Sequence, residues 1–231
     1  MTATISLEEW LVDRGLTPQE ADLWADFIAD ALDLIEDGYS LLRHCYEWSS
    51  FLRGCVNSVP TEPEITSGLG DRMRRLRNEA PIDSSRDRIQ VSYESPTPGD
   101  ERHGIRKSKA DFRFEKKFEA GCAAEFVVEA KPLRAASDIA GRYMAADGLG
   151  CFLDRSPPYS REFAAGMLGY AYTQPSTWIA ALATALSSGT SATRSGHIQM
   201  ARGRSALVSD HPRTALELNP VTILHSVLDF A

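Results

Sequence analysis

The chain has 231 residues, 43% of them hydrophobic and 25% charged, enough for one sizeable core with at most a small appended element. The net charge of −7 is unevenly spread: residues 1–60 hold 11 acidic and 3 basic side chains, leaving 21 acidic and 22 basic ones for the remainder, so the acidity belongs to the N-terminal segment. The opening MTATISLEEW has neither a basic segment nor an apolar run, and the most apolar later stretch, residues 178–186, is too short to span a bilayer. Both features argue against a membrane partner and give the expectation of a cytoplasmic protein.

Thr17-Pro18-Gln19-Glu20 forms a capping box with proline near the helix start. Ala21, Trp24, Phe27, Ile28, Ala31, Leu32 and Ile35 follow at helical spacing, which predicts a long first helix. A second helical stretch over 41–52 makes residues 1–56 an acidic helical hairpin, distinct from a main domain over 57–231. After a connector over 54–60, Thr61-Glu62-Pro63-Glu64 is again a capping box. The stripe Ile65, Leu69, Met73, Leu76, stepped back one turn, places Glu62 on the inward face, while Glu64 is the reciprocal capping residue.

Strands are expected over 88–93, 110–115 and 124–131, with a polar, mobile segment over 95–107. Next come a helix over 137–147 capped by Ser137 and stopped by Gly148, and a short strand over 149–153. Helices over 160–170 and 177–186 follow, the second capped by Ser176. The stretch 187–196 reads as a flexible loop, and 205–209 and 221–230 as terminal strands. Cys45, Cys55, Cys122 and Cys151 are scattered, which predicts reduced core thiols rather than a zinc site. His103, His197, His211 and His225 lack the spacing of a helical metal pair; His225 reads as a core histidine on a strand and His211 as a loop residue. Tyr170, Tyr172 and Gln174 lie where substrate contact is conceivable, although aromatic residues on an alanine-rich helix are more often core.

The chemistry concentrates in residues 108–131. In EFVVEAK the side chains of Val127, Glu129 and Lys131 share one face of a strand, and Phe126, Val128 and Ala130 the other. Both faces carry apolar residues, so the strand is buried. A carboxylate and an ammonium are costly there unless paired with each other, a metal or a ligand. Asp111, alternating with Arg113 on the preceding strand, can face Glu129 across a hairpin. Two carboxylates and a backbone carbonyl such as that of Ala130 form an all-oxygen set suited to Mg²⁺ or Mn²⁺. Lys131 is then placed to orient a water or stabilise developing negative charge. Basic clusters at Arg72, Arg74, Arg75, Arg77 and at Arg102, His103, Arg106, Lys107, Lys109 could guide a phosphate backbone.

With Glu62 on a helix, Asp111 on one strand and Glu129-x-Lys131 on the next, the chain resembles the PD-(D/E)XK, or restriction-endonuclease-like, nuclease superfamily over residues 61–153. Ala110 stands where the proline of the family's name would be. The resemblance implies an α/β fold with a mixed sheet flanked by helices, and Mg²⁺-dependent (or Mn²⁺-dependent) endonucleolytic cleavage of DNA, with RNA as an open alternative. Glu62, Asp111, Glu129 and Lys131 would be its catalytic residues, with Asp111, Glu129 and Ala130 holding the metal. A single small domain with no sequence-reading module gives the expectation of a homodimer or a protein partner, engaged through the acidic N-terminal helices, and the resemblance implies a setting such as bacterial antiphage defence. The alternative is an inactive nuclease-fold subunit that binds nucleic acid or a protein.

Overall fold

The computed structural model describes residues 5–103, 107–119, 122–173, 175–189 and 191–231. Arg106, Gln174 and the side chains of Cys122 and Ser176 lie outside the described residues. Helices α1 (Leu7–Asp13), α2 (Pro18–Arg43), α3 (Cys45–Gly54) and α4 (Glu62–Asn78) precede strands β1 (Ile89–Pro96), β2 (Lys109–Glu119) and β3 (Cys122–Leu133). Then come a π-helical turn (Ile139–Tyr143), α5 (Gly150–Leu153), β4 (Ala164–Ala171), α6 (Pro175–Ser188), β5 (Arg194–Gln199), β6 (Ser205–Arg213) and β7 (Leu218–Asp229).

The seven strands form one mixed sheet in the order β1-β2-β3-β4-β7-β6-β5. Strands β3, β4 and β7 run parallel at its centre, and antiparallel pairs complete both edges. One face packs against α1, α2 and α4 through Trp10, Trp24, Phe27, Ile65, Leu69, Phe112, Phe114 and Phe126. The other packs against the π-helical turn, α5 and α6 through Tyr143, Phe152, Trp178, Leu182, Val127 and Met167. Among the described residues, no helix is long and apolar enough to cross a membrane.

Local chemistry accounts for the helix starts. Thr17 N–H and its hydroxyl both donate to Glu20, and every member of the stripe from Ala21 to Ile35 is buried. The helix continues to Arg43, past the expected stripe, and α3 begins only at Cys45. Its acidic side faces inward partners: Asp30 binds Lys116 and Arg202, Asp33 and Glu36 bind Arg204, and Asp37 binds Arg86. Cys45 is exposed and Cys55 half-buried, so of the described thiols only Cys151 is a core thiol.

The middle of the chain departs from expectation. The expected helix over 160–170 is strand β4, buried at all eight residues, because a short apolar run without polar punctuation satisfies a central parallel strand as well as a helix. The expected strand over 149–153 is the short helix α5, and the expected helix over 137–147 shortens to the π-helical turn. There Asp138, not Ser137, accepts the loop N–H groups of Arg134 and Ala135. The expected loop over 187–196 ends in β5, an edge strand too polar to show an apolar alternation. In the segment expected to be mobile, Thr97 and Asp100 are buried, and the Asp100 carboxylate accepts the Ser108 N–H at 2.8 Å.

Candidate metal centre

Four residues predicted to act together converge where β2 and β3 part. Their ladder pairing runs to Phe112–Val128. Beyond it the Ala130 N–H donates to the Asp111 carboxylate at 2.7 Å, so Asp111 takes the place of a strand carbonyl and is pinned beside Glu129. The amide of Ala130, whose carbonyl is the expected ligand, thus also fixes Asp111. Helix α4 delivers Glu62 in its first turn. Glu64 is committed elsewhere: it accepts from the Thr61 N–H and hydroxyl and from the Val56 N–H, all at 2.7 Å. Of the two acids, Glu62 is the one that meets Lys131.

One carboxylate oxygen each from Glu62, Asp111 and Glu129 lies within 4.8 Å of the others. Lys131 Nζ donates to Glu129 Oε1 at 2.6 Å and to Glu62 Oε1 at 3.1 Å. The Glu129 and Lys131 side chains are 6% and 10% exposed and that of Glu62 is 25% exposed, so the site opens on the α4 side. Three carboxylates against one ammonium leave an excess of negative charge in a poorly solvated place. Burial, then the charge of Asp111, pushes the Glu129 carboxyl well above the usual range, despite Lys131. Burial likewise pushes Asp111 up to about 6, opposed by Lys131 and the Ala130 amide. For Lys131 burial disfavours the charge, but Glu129, Glu62 and Asp111 outweigh it and hold the ammonium firmly protonated.

These residues fit a hard divalent cation. The donor set is all oxygen, and Glu129 Oε2 is buried without a hydrogen-bond partner, an acceptor that a cation would satisfy. Glu129, Asp111 and Glu62 would hold it.

Two supporting roles escaped the sequence reading, those of Thr66 and of Tyr170, the latter expected only as a contact to substrate. Thr66 donates to Asp111 Oδ1 at 3.2 Å and shares a 3.0 Å hydrogen bond with the Tyr170 hydroxyl, bracing the aspartate from behind. Thr66 lies one helical turn after Glu62, so the periodicity that placed Glu62 inward also placed Thr66 there. Tyr170 was hidden by the misassigned helix. Tyr172 anchors the loop before α4, its hydroxyl donating to the Pro60 carbonyl at 2.8 Å.

Elsewhere the predicted groups disperse. Arg72 and Arg75 pair with Glu47, Arg77 donates to the Asp87 carbonyl, Arg74 stacks on Tyr93, and Arg102 pairs with Asp100. His211, expected in a loop, is buried on β6. It shares Ser209 Oγ with the buried His225, each imidazole Nε2 lying 2.7 Å from that oxygen. Comparison of the chain with protein-family models, with curated proteins and with solved structures finds no match.

Proposed function

We propose that the chain is a Mg²⁺-dependent (or Mn²⁺-dependent) nuclease of the PD-(D/E)XK type, with a restriction-endonuclease-like fold, that hydrolyses phosphodiester bonds in DNA. The observation that carries this reading is the convergence of Glu62, Asp111 and Glu129 within 4.8 Å around Lys131, with one buried carboxylate oxygen left without a partner. The supporting order is α4 with Glu62, β1, β2 with Asp111, then β3 with Glu129 and Lys131.

When bound, the cation supplies Lewis acidity and a lowered water pKa. Asp111 and Glu129 hold fixed positions through the Ala130 amide, Thr66 and Lys131. Lys131, kept charged by its acidic neighbours, orients the attacking water and offers its ammonium to the charge that builds on the phosphoryl oxygens. Glu62, on the open side, accepts a hydrogen bond from that water or completes the ligand set. All four side chains are present and converge, which favours a catalytic role over that of an inactive subunit.

The test is incubation of supercoiled plasmid with the protein in Mg²⁺, Mn²⁺ or EDTA. Metal-dependent nicking should disappear in Lys131→Ala and Glu129→Ala variants of unchanged circular dichroism. Full cleavage by either variant would sink the assignment.

A further inference from the structure

Two arginines on opposite faces of the sheet bracket the acidic site. Arg134 follows β3 by one residue, and its guanidinium lies 4.9 Å over the Tyr172 ring, which packs on the α4 side. Tyr172 sits beside Glu62: its hydroxyl binds the Pro60 carbonyl, and the charges of Glu62 and Glu64 add to the burial that raises its pKa. Arg155 follows α5, with its guanidinium 5.2 Å over the Tyr159 ring on the other face. It donates to Ser108 Oγ, three residues before Asp111, and to Cys151 Sγ at 3.7 Å. Cys151 and Tyr159 both neighbour Glu129, whose charge adds to the burial that pushes the Cys151 thiol up to about 11.

Neither guanidinium has a carboxylate partner among the described residues, whereas Arg86, Arg102, Arg113, Arg142, Arg202 and Arg204 all do. Of the site's carboxylates, Glu62 and Glu129 pair with Lys131 rather than with either arginine. The Arg155 guanidinium is held by an aromatic face and two neutral acceptors, and that of Arg134 by an aromatic face, with its charge felt by the Asp138 carboxylate. Stacking fixes each plane while leaving in-plane donors available, the arrangement that suits bidentate binding of phosphate oxygens. A polyanion approaching an acidic centre also needs positive charge beside it to offset repulsion.

We propose that Arg134 and Arg155 bind the backbone phosphates on either side of the scissile one, so that the site takes an internal phosphodiester of a DNA strand rather than a chain end. This rests on the nuclease reading above. Arg134 holds the strand on the α4 side and Arg155 on the α5 side, leaving the central phosphate over Glu129 and Lys131.

The test uses the full chain with a covalently closed single-stranded DNA circle and a labelled linear oligonucleotide in Mg²⁺, comparing Arg134→Ala, Arg155→Ala and the two Arg→Lys variants. The wild type should cut the circle. Each alanine variant should raise KM about tenfold or more with a smaller change in kcat. Its salt dependence of binding, read with the same oligonucleotide in Ca²⁺, should become shallower by about one phosphate contact. The lysine variants should recover the salt slope but only part of the KM, which a packing role would not produce. Cutting by the wild type with unchanged KM and salt slope in both alanine variants, or cutting of linear ends alone, overturns this inference and leaves the nuclease standing. No metal-dependent cutting or binding by the wild type overturns both.

Discussion

Glu129 is the carboxylate with the most to gain from a cation, since one oxygen binds Lys131 and the other is buried without a partner. In the metal-free protein it is therefore held at a cost, shared with Asp111, because both carboxyl groups are pushed upward by burial. Glu129→Gln relieves that repulsion and keeps the shape. The metal-free variant should melt a few degrees above the wild type, about 1–2 kcal/mol of added stability. The same change should abolish the rise in Tm that Mn²⁺ confers on the wild type through binding to the folded state alone. Differential scanning fluorimetry with and without Mn²⁺ checks both, and a metal-induced rise retained by Glu129→Gln would remove Glu129 from the ligand set. The quartet itself was legible in the sequence because two strands and one helix each carry their acidic residue at a position fixed by local periodicity. The brace on Asp111 was only half legible: Thr66 follows from the helix repeat, but Tyr170 comes from a strand whose apolar run carries no period.

Strand β4 shows why such a run is hard to read. It is parallel to β3 and β7 and buried on both faces, so nothing alternates, and alanine and glycine populate it because its neighbours come close. A Cβ at Gly166 would lie 2.8 Å from Val128 Cγ2 and 3.1 Å from Phe126 Cζ. Gly166→Val should accordingly lower stability by about 1–3 kcal/mol, read as a reduced urea midpoint at unchanged m. An unchanged midpoint would mean that β4 packs more loosely against β3 than described. Strands β6 and β7 were legible from their apolar character, yet their polar core was not. His211 Nδ1 lies 2.9 Å from the Ser191 carbonyl, so that nitrogen must carry a proton and Nε2 accepts from Ser209. Ser209 Oγ also lies 2.7 Å from His225 Nε2, and the Tyr143 hydroxyl, which donates to the Met167 carbonyl at 3.0 Å, lies 3.1 Å from His225 Nδ1. Burial, helped by His211, depresses His225 to about 3, so between that value and its unfolded pKa near 6.5 the unfolded chain binds the extra proton. Stability from this group is complete above about pH 6.5 and is lost as pH falls toward 3. His225→Gln should flatten the fall in Tm between pH 7.5 and 4.5 relative to the wild type, and parallel curves would show that this imidazole is not held neutral.

Across the molecule, the acidic N-terminal segment and the sheet share one core. Trp24 on α2 packs edge-on to Phe163 at 4.4 Å and to Phe118 at 6.4 Å, and Tyr39 meets Phe230 at 5.4 Å. The apolar stripe of α2 was legible in the sequence. The use of its charged side was not, because its partners Arg86, Lys116, Arg202 and Arg204 are distant in the chain and only the tertiary fold aligns them. Asp30 is the centre of this seam: its side chain is 6% exposed and binds Arg202 at 2.6 Å, Ser85 at 3.1 Å and Lys116 at 3.3 Å. The Lys116 side chain is only 15% exposed, so losing Asp30 strands a poorly solvated ammonium, whereas Arg202, half exposed, recovers hydration. Asp30→Ala should thus cost about 2–4 kcal/mol, more than removal of an exposed ion pair would. Because α2 contributes to the same core as β2 and β3, the loss should appear as one earlier transition, with tryptophan fluorescence and far-ultraviolet circular dichroism coinciding in urea. Two separated transitions, one reported by Trp24 and one by the sheet, would instead mean that residues 1–56 unfold independently and that the seam at Asp30 joins two units rather than stabilising one.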